Sequence, residues 1–194
     1  MKPIAPAVPL RVLVLHASGV GSTAELARFV GEVLRERGHE VDVHAVADMT
    51  DAALQLPTYD RIVLGSAIRY DRWLPEMRRF VEAHGELLAT RPVSAFFTCL
   101  ALSRPTGEAQ AAGYAERVRA LFAPATELEV QGFAGVLDLK KLPFVQRWLL
   151  GAIAAFNGVP EGDYRDWGAV RAWAEALAPA SSGASLPRPA PQAG

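Results

Sequence analysis

"VLVLHASGVGSTAELARFV", residues 12–30, runs from an apolar burst through small polar residues and two glycines into an amphipathic helix. "LRVLVLHA" (10–17) is continuous apolar sequence of strand length, as a strand covered on both faces requires. Leu26, Phe29, Val30, Val33 and Leu34 then recur at helical spacing over 23–37. Ser22 with Glu25 fits a capping box at the helix start, and Gly38 fits its stop. Between strand and helix, Gly19 and Gly21 let the backbone turn with its N–H groups exposed, and Ser18, Ser22 and Thr23 add hydroxyls. With the free N–H groups and positive dipole end of the helix, this loop reads as a cup for a dianionic phosphate that needs no Lys or Arg. The P-loop lysine and the third glycine of the dinucleotide fingerprint are both absent, which favours a terminal monophosphate. The same residues also read as a tight turn with a capping serine.

The pattern repeats downstream. Strands are expected at 39–46, 60–68 and 93–102, with a strand or a strand plus a turn at 126–139. Helices are expected at 74–90 with Pro75 in the first turn, at 107–123, at 143–156, and at 166–178 capped by Asp166. Alternating strands and helices predict an α/β three-layer sandwich around a five-stranded parallel sheet, in the flavodoxin-like order 2-1-3-4-5. Residues 1–9 are expected to form a flexible extension, 10–178 one domain, and the Pro/Ala/Ser/Gly-rich 179–194 a disordered tail.

Composition narrows the function classes. Hydrophobic residues make up 51% and charged residues 21%, as in a globular chain. A net charge of -1 argues against a nucleic-acid binder. The single cysteine, Cys99, excludes an intrachain disulfide and suits a reducing cytosol. Neither a signal peptide nor a spanning helix is expected, so the chain is placed in the cytoplasm.

In an open parallel sheet, ligands sit beyond the carboxyl ends of the strands, where the loops after strands 1, 3 and 4 meet. The second of these, "GSAIRYDRW" (65–73), offers Gly65 for close backbone approach and Tyr70 to stack on a flat ring. Trp73 reads better as packing for the next helix. The third, "CLALSRPTGE" (99–108), supplies backbone groups and Arg104, and Cys99 reads as a small core residue.

"SGVGSTAELA" (18–27) resembles the flavodoxin signature, with Ser18, Gly21, Thr23 and Ala27 in its places and His16 where it prefers Phe or Tyr. "YDRIVLGSAIRYDRWLPEMRRFVEAH" (59–84) resembles the flavodoxin-type, menaquinone-dependent protoporphyrinogen oxidases. "DYRDWGAVRAWAEALA" near the C-terminus resembles that family's closing helix. The resemblance implies a flavin-dependent oxidoreductase that converts protoporphyrinogen to protoporphyrin in haem biosynthesis and passes electrons to a membrane quinone. It implies FMN held by Ser18, Gly19, Val20, Gly21, Ser22 and Thr23. The ring then lies against Ser66, Ala67, Ile68, Arg69 and Tyr70 on one side and Thr98, Cys99, Leu100, Ala101 and Arg104 on the other. Arg69, Arg72 and Arg104 are candidates to pair with tetrapyrrole propionates, since Arg forks match carboxylates. Arg72 also reads as solvated surface.

A flavin carries the redox chemistry itself, so no catalytic side chain is assigned, and no metal site. The apolar helix 143–156, with Lys140, Lys141 and Arg147 at or before its start, has three readings. It can cover the sheet, touch the inner face of the cell membrane peripherally, or meet a second copy in a homodimer. Two rival functions stay open: an electron-transfer flavodoxin, and a flavodoxin-like domain without flavin.

Overall fold

The computed structural model describes residues 8–49, 56–104, 106–123, 126, 128–137 and 160–180. The helix expected at 143–156, the rest of that region from residue 138 to 158, and most of the expected extension and tail lie outside the described residues.

The opening run forms β1 (Arg11–Ala17), followed by α1 (Ser22–Glu36) and β2 (Glu40–Ala45). β3 (Arg61–Arg69), a two-residue β4 (Arg72–Trp73), α2 (Pro75–Leu88), β5 (Val93–Cys99), α3 (Glu108–Arg119) and β6 (Leu128–Ala134) come next. β7 (Val136–Leu137) and β8 (Gly162–Asp163) pair antiparallel, and α4 (Trp167–Leu177) closes the described chain. The parallel strands run β2-β1-β3-β5-β6, with β4 hung antiparallel on β3. Counted as five parallel strands, this is the expected order.

Alternation of side chains assigns the two faces. Val12, Val14, Val63 and Phe96 pack beneath α1 and α4, while Leu13, Leu15, Leu64 and Phe97 pack beneath α2 and α3. Both faces are covered, which is why the strand sequences are continuously apolar. The adjacent Phe96 and Phe97 each lie across a glycine of a neighbouring strand. Phe96 covers Gly65 of β3 on one face, and Phe97 covers Gly132 of β6 on the other. A Cβ on Gly65 would stand 2.1 Å from the Phe96 ring. Gly65 therefore serves core packing, not the close approach to a ligand that the sequence suggested.

Local signals mostly hold. Asp166 caps α4 by accepting from the Ala169 N–H at 2.9 Å. The Gly38 N–H donates to the Arg35 carbonyl and the His39 N–H to the Leu34 carbonyl, the paired bonds of a Schellman stop. The Ser22–Glu25 capping box does not form: Gly21 occupies the N-cap with φ 100°, and no side chain caps the helix.

His39 ties both ends of the described chain together. Its Nδ1 accepts from the Leu10 N–H at 3.2 Å, and its Nε2 lies 3.0 Å from the Pro179 carbonyl. Accepting at one nitrogen and donating at the other requires the neutral ring. Burial holds its pKa below 6.5, opposed in part by the Pro179 carbonyl. A histidine whose folded pKa is depressed stabilises fully above its unfolded pKa, and that stability drains away as pH falls toward the folded value. The unfolding free energy of the chain should therefore decline below pH 6.5. Urea titrations at pH 7.5 and 5.5 should show a smaller decline for His39→Gln than for the parent.

Candidate functional site

β1 ends at Ala17, opposite Ser66 of β3, and Ala67 lies opposite Thr98 of β5. That register brings the loops after β1, β3 and β5 out at one sheet edge, side by side. In the first loop the Ser18 Oγ accepts from the Gly21 N–H at 3.0 Å, which closes the turn and leaves its own proton free to donate. The Glu25 N–H makes the first backbone bond of α1, to the Gly21 carbonyl. With no side-chain cap, the N–H groups of Ser22, Thr23 and Ala24 are left for an external acceptor.

Thr23 plays a different part from the one its sequence suggested. It is fully buried, and its hydroxyl lies 2.7 Å from the Thr98 hydroxyl. Its side chain bolts the start of α1 to the end of β5. Ser66 is also committed internally: its Oγ accepts from the Leu74 N–H and donates to the Ala67 carbonyl, both at 3.1 Å. Cys99 is buried, and burial pushes its thiol pKa up, as for a packed side chain. Ala101 is buried in the short turn after β5, and Leu100 and Arg104 are half-buried beside it.

The second loop is a two-residue hairpin turn between β3 and β4, with Tyr70 at φ 49° and Asp71 at φ 61°. Two left-handed residues in succession suit Asn-Gly, so holding Tyr70 there costs energy. Tyr70 recovers nothing by burial, being 88% exposed. Its neighbour Asp71 anchors the turn. The Tyr114 hydroxyl donates to Asp71 Oδ1 at 2.9 Å, Gln110 donates to the Tyr114 oxygen, and Arg104 Nη2 donates to Gln110 Oε1 at 2.7 Å. This chain runs from the third loop to the second and fixes their spacing. Burial and Asp71 push the Tyr114 pKa up to about 12, so it remains a donor throughout the working range.

Arg69 crosses from the second loop to the first, with a guanidinium nitrogen 3.7 Å from where a Gly19 Cβ would stand. The cup thus has a cation at its rim, although the loop sequence supplies none. Trp73, by contrast, is buried, with its ring edge-on to Phe122. His16 is also buried; its Nδ1 has no partner, and burial keeps its pKa below 6.5.

One cluster near the cup was missed in the sequence. Arg165, just before α4, donates to Glu25 Oε2 at 2.5 Å and to Asp163 Oδ2 at 2.6 Å, and it lies 4.5 Å from the Trp167 ring centroid. Glu25 stands in the first turn of α1, with its other oxygen 3.9 Å from a Gly21 Cβ position. An unpaired carboxylate there would repel an anion, and Arg165 offsets it. No spacing rule links residues 25 and 165, so only folding reveals the pair. Arg165→Ala should weaken binding of a phosphate-bearing ligand at the cup by about tenfold, roughly 1.4 kcal/mol. Adding Glu25→Gln should restore most of that loss in the same titration.

The flavodoxin domain family model matches residues 13–161. Protoporphyrinogen IX dehydrogenase (quinone) of Escherichia coli strain K12 is 32% identical over 95 residues, covering 49% of this chain and 51% of the relative. NAD(P)H dehydrogenase (quinone) of Brucella anthropi is 30% identical over 98 residues, covering 41% and 49%. The matched segments thus span about half the length of these curated relatives. Among solved structures, a short-chain flavodoxin associated with a non-canonical PDU bacterial microcompartment aligns at TM-score 0.50 and 13% identity. That alignment covers 78% of this chain and 99% of that one, and it supports the fold alone.

Proposed function

Since the chain belongs to the flavodoxin domain family, whose cofactor is FMN, we propose that it is an FMN-dependent oxidoreductase acting on protoporphyrinogen or a similar small molecule, with a quinone as electron acceptor. The observation that carries this reading is the convergence of an uncapped helix start, Arg69 and the exposed Tyr70 at one sheet edge.

The residues fit the cofactor. Its phosphate would meet Ser18, Gly19, Val20, Gly21 and Ser22 through main-chain N–H groups and hydroxyls, with Thr23 contributing its N–H and Arg69 neutralising charge. Its ring would lie between the second loop (Ala67, Ile68, Tyr70) and the third (Leu100, Ala101, Arg104). The internal bonds of Thr23 to Thr98 and of Ser66 to Leu74 give Ser66 and Thr98 the role of holding those loops, with Cys99 packed beside them. When bound, FMN supplies the two-electron acceptor for substrate oxidation. The protein holds and orients it, and the Arg104–Gln110–Tyr114–Asp71 chain keeps the two ring-flanking loops at a constant separation.

The substrate and acceptor are supported by the resemblance at 59–84 and by the names of the two relatives, both of which carry quinone. Among the described residues no helix is long and apolar enough to cross a membrane. Peripheral contact with a membrane surface is the mode of quinone access that this reading adopts. The test begins with the absorbance spectrum of the purified protein and a titration with FMN. Anaerobic addition of protoporphyrinogen and a soluble quinone follows, read by protoporphyrin fluorescence. Quinone-dependent fluorescence growth is the expected result. Bound flavin without turnover would leave an electron-transfer flavodoxin, and no flavin binding would remove the oxidoreductase reading altogether.

A further inference from the structure

On the α3 side of the β3–β4 hairpin, next to the turn that carries Tyr70, lies a cleft of about 310 Å³. Its apolar wall is Ile68, Trp73 and Leu121, and its charged rim holds Arg72, Arg78 and Arg117. Among the described residues Asp71 is the only acidic lining residue, and it is already engaged by the Tyr114 hydroxyl and by Arg117 at 3.8 Å. The side chains of Arg72 and Arg78 make no hydrogen bond or ion pair among the described residues. Arg78 is half-buried, lining the cleft from α2, and Arg72 is exposed at its rim. The wall has an orphan donor as well: Trp73 is 2% exposed, and its Nε1 has no partner.

Arginines without a protein counter-charge beside an apolar, aromatic wall suit a ligand that is itself divided, anionic at one end and apolar at the other. Guanidinium forks match carboxylates in geometry as well as charge. The volume lies at the small end of ligand pockets, so the cleft takes one edge of a larger molecule. Its lining includes Asp71, one residue from Tyr70. A ligand edge seated here would extend its body toward the ring platform.

We infer that this cleft is an anion subsite that grips the carboxylate edge of a flat, apolar substrate through Arg72 and Arg78 and delivers its body to the flavin side of the hairpin. The inference rests on the proposed oxidoreductase reading for the identity of that substrate. It keeps Arg72 from the second loop as a carboxylate partner and adds Arg78 of α2, which the sequence did not single out.

Protoporphyrin IX, a stable planar dicarboxylate, is the probe. It is titrated into the full chain, with and without FMN, and followed by its Soret band, alongside its dimethyl ester. Arg78→Gln and the Arg72→Gln/Arg78→Gln double variant are titrated in parallel. The expected result is binding of the acid that weakens at least about tenfold in the double variant, with the ester binding the parent no better than the acid binds that variant. FMN affinity and Tm should stay at parental values, because neither arginine side chain makes a hydrogen bond or ion pair among the described residues. Equal affinity for acid and ester, an unchanged double variant, or absence of porphyrin binding to an FMN-loaded chain would each overturn the subsite and leave the flavin reading standing. Failure of FMN to bind would strike the flavin reading instead, while the titration of the flavin-free chain still reports on the cleft.

Discussion

Gly65→Ala should destabilise the protein by about 3 kcal/mol, at the upper end of what one added core methyl costs. The new methyl would stand 2.1 Å and 2.3 Å from two Phe96 ring carbons. The ring has no easy retreat. Phe96 packs edge-on to Phe133 and Trp173, with centroids 6.1 Å and 5.8 Å away, and those two rings pack on each other at 5.6 Å. Trp173 is further held by its indole N–H, which donates to Glu129 at 2.9 Å. Moving Phe96 therefore shifts β6 and α4 together. Urea unfolding of the FMN-free chain should show the full loss, equivalent to a fall in Tm on the order of 10 °C. Phe96→Leu in the Gly65→Ala background should return part of it, because the smaller side chain vacates the disputed volume. An alanine variant as stable as the parent would show that the two strands part more easily than their packing implies.

Tyr70→Asn should move stability and cofactor affinity in opposite directions. Tyr70 occupies the left-handed region at φ 49° in a turn whose next residue does the same. Asparagine accepts that conformation at little cost, so the variant should gain about 0.5–1 kcal/mol in unfolding free energy. The lost ring is a stacking surface, and stacking of a flat heterocycle on an aromatic side chain is worth about 1–3 kcal/mol. FMN should then dissociate on the order of 10- to 100-fold more readily, read by recovery of free-flavin fluorescence. Tyr70→Phe should keep parental affinity. A purely structural Tyr70 predicts the stability gain with no change in FMN affinity, and that result would remove the ring platform from the site.

Much of the fold was legible because burial on both faces leaves a plain signature. The runs at 10–17, 60–68 and 93–102 are apolar without alternation, and the structure covers them with α1 and α4 on one side and α2 and α3 on the other. Caps that depend on one residue and its near neighbours were legible too, as at Asp166 and Gly38. The capping box failed because Gly21 rather than Ser22 takes the N-cap, and its Glu25 pairs instead with Arg165, 140 residues away. β4 was not legible: two residues are too few for a period, and its pairing with Ile68 and Arg69 follows from the turn between them.

The candidate site divides in the same way. Its placement at the carboxyl edge of the sheet follows from the strand order, and its loops are recognisable by glycine and hydroxyl content. Individual roles were less readable. Gly65 looked like a ligand-facing glycine and belongs to Phe96; Thr23 looked like a phosphate donor and its buried hydroxyl pairs with that of Thr98. Residue type alone does not say whether a hydroxyl or a bare backbone meets a ligand or another strand.

By itself the sequence determined the layered α/β architecture, the order of its parallel strands and the edge where the loops gather, because those follow from periodicity and chain-local chemistry. Only the tertiary structure decided which groups remain free at that edge. Arg165 beside Glu25, Arg69 over Gly19, and unpaired Arg72 and Arg78 in one cleft all depend on residues brought together by packing. Pairing energies act through space, and no pattern along the chain records which distant partner will be present.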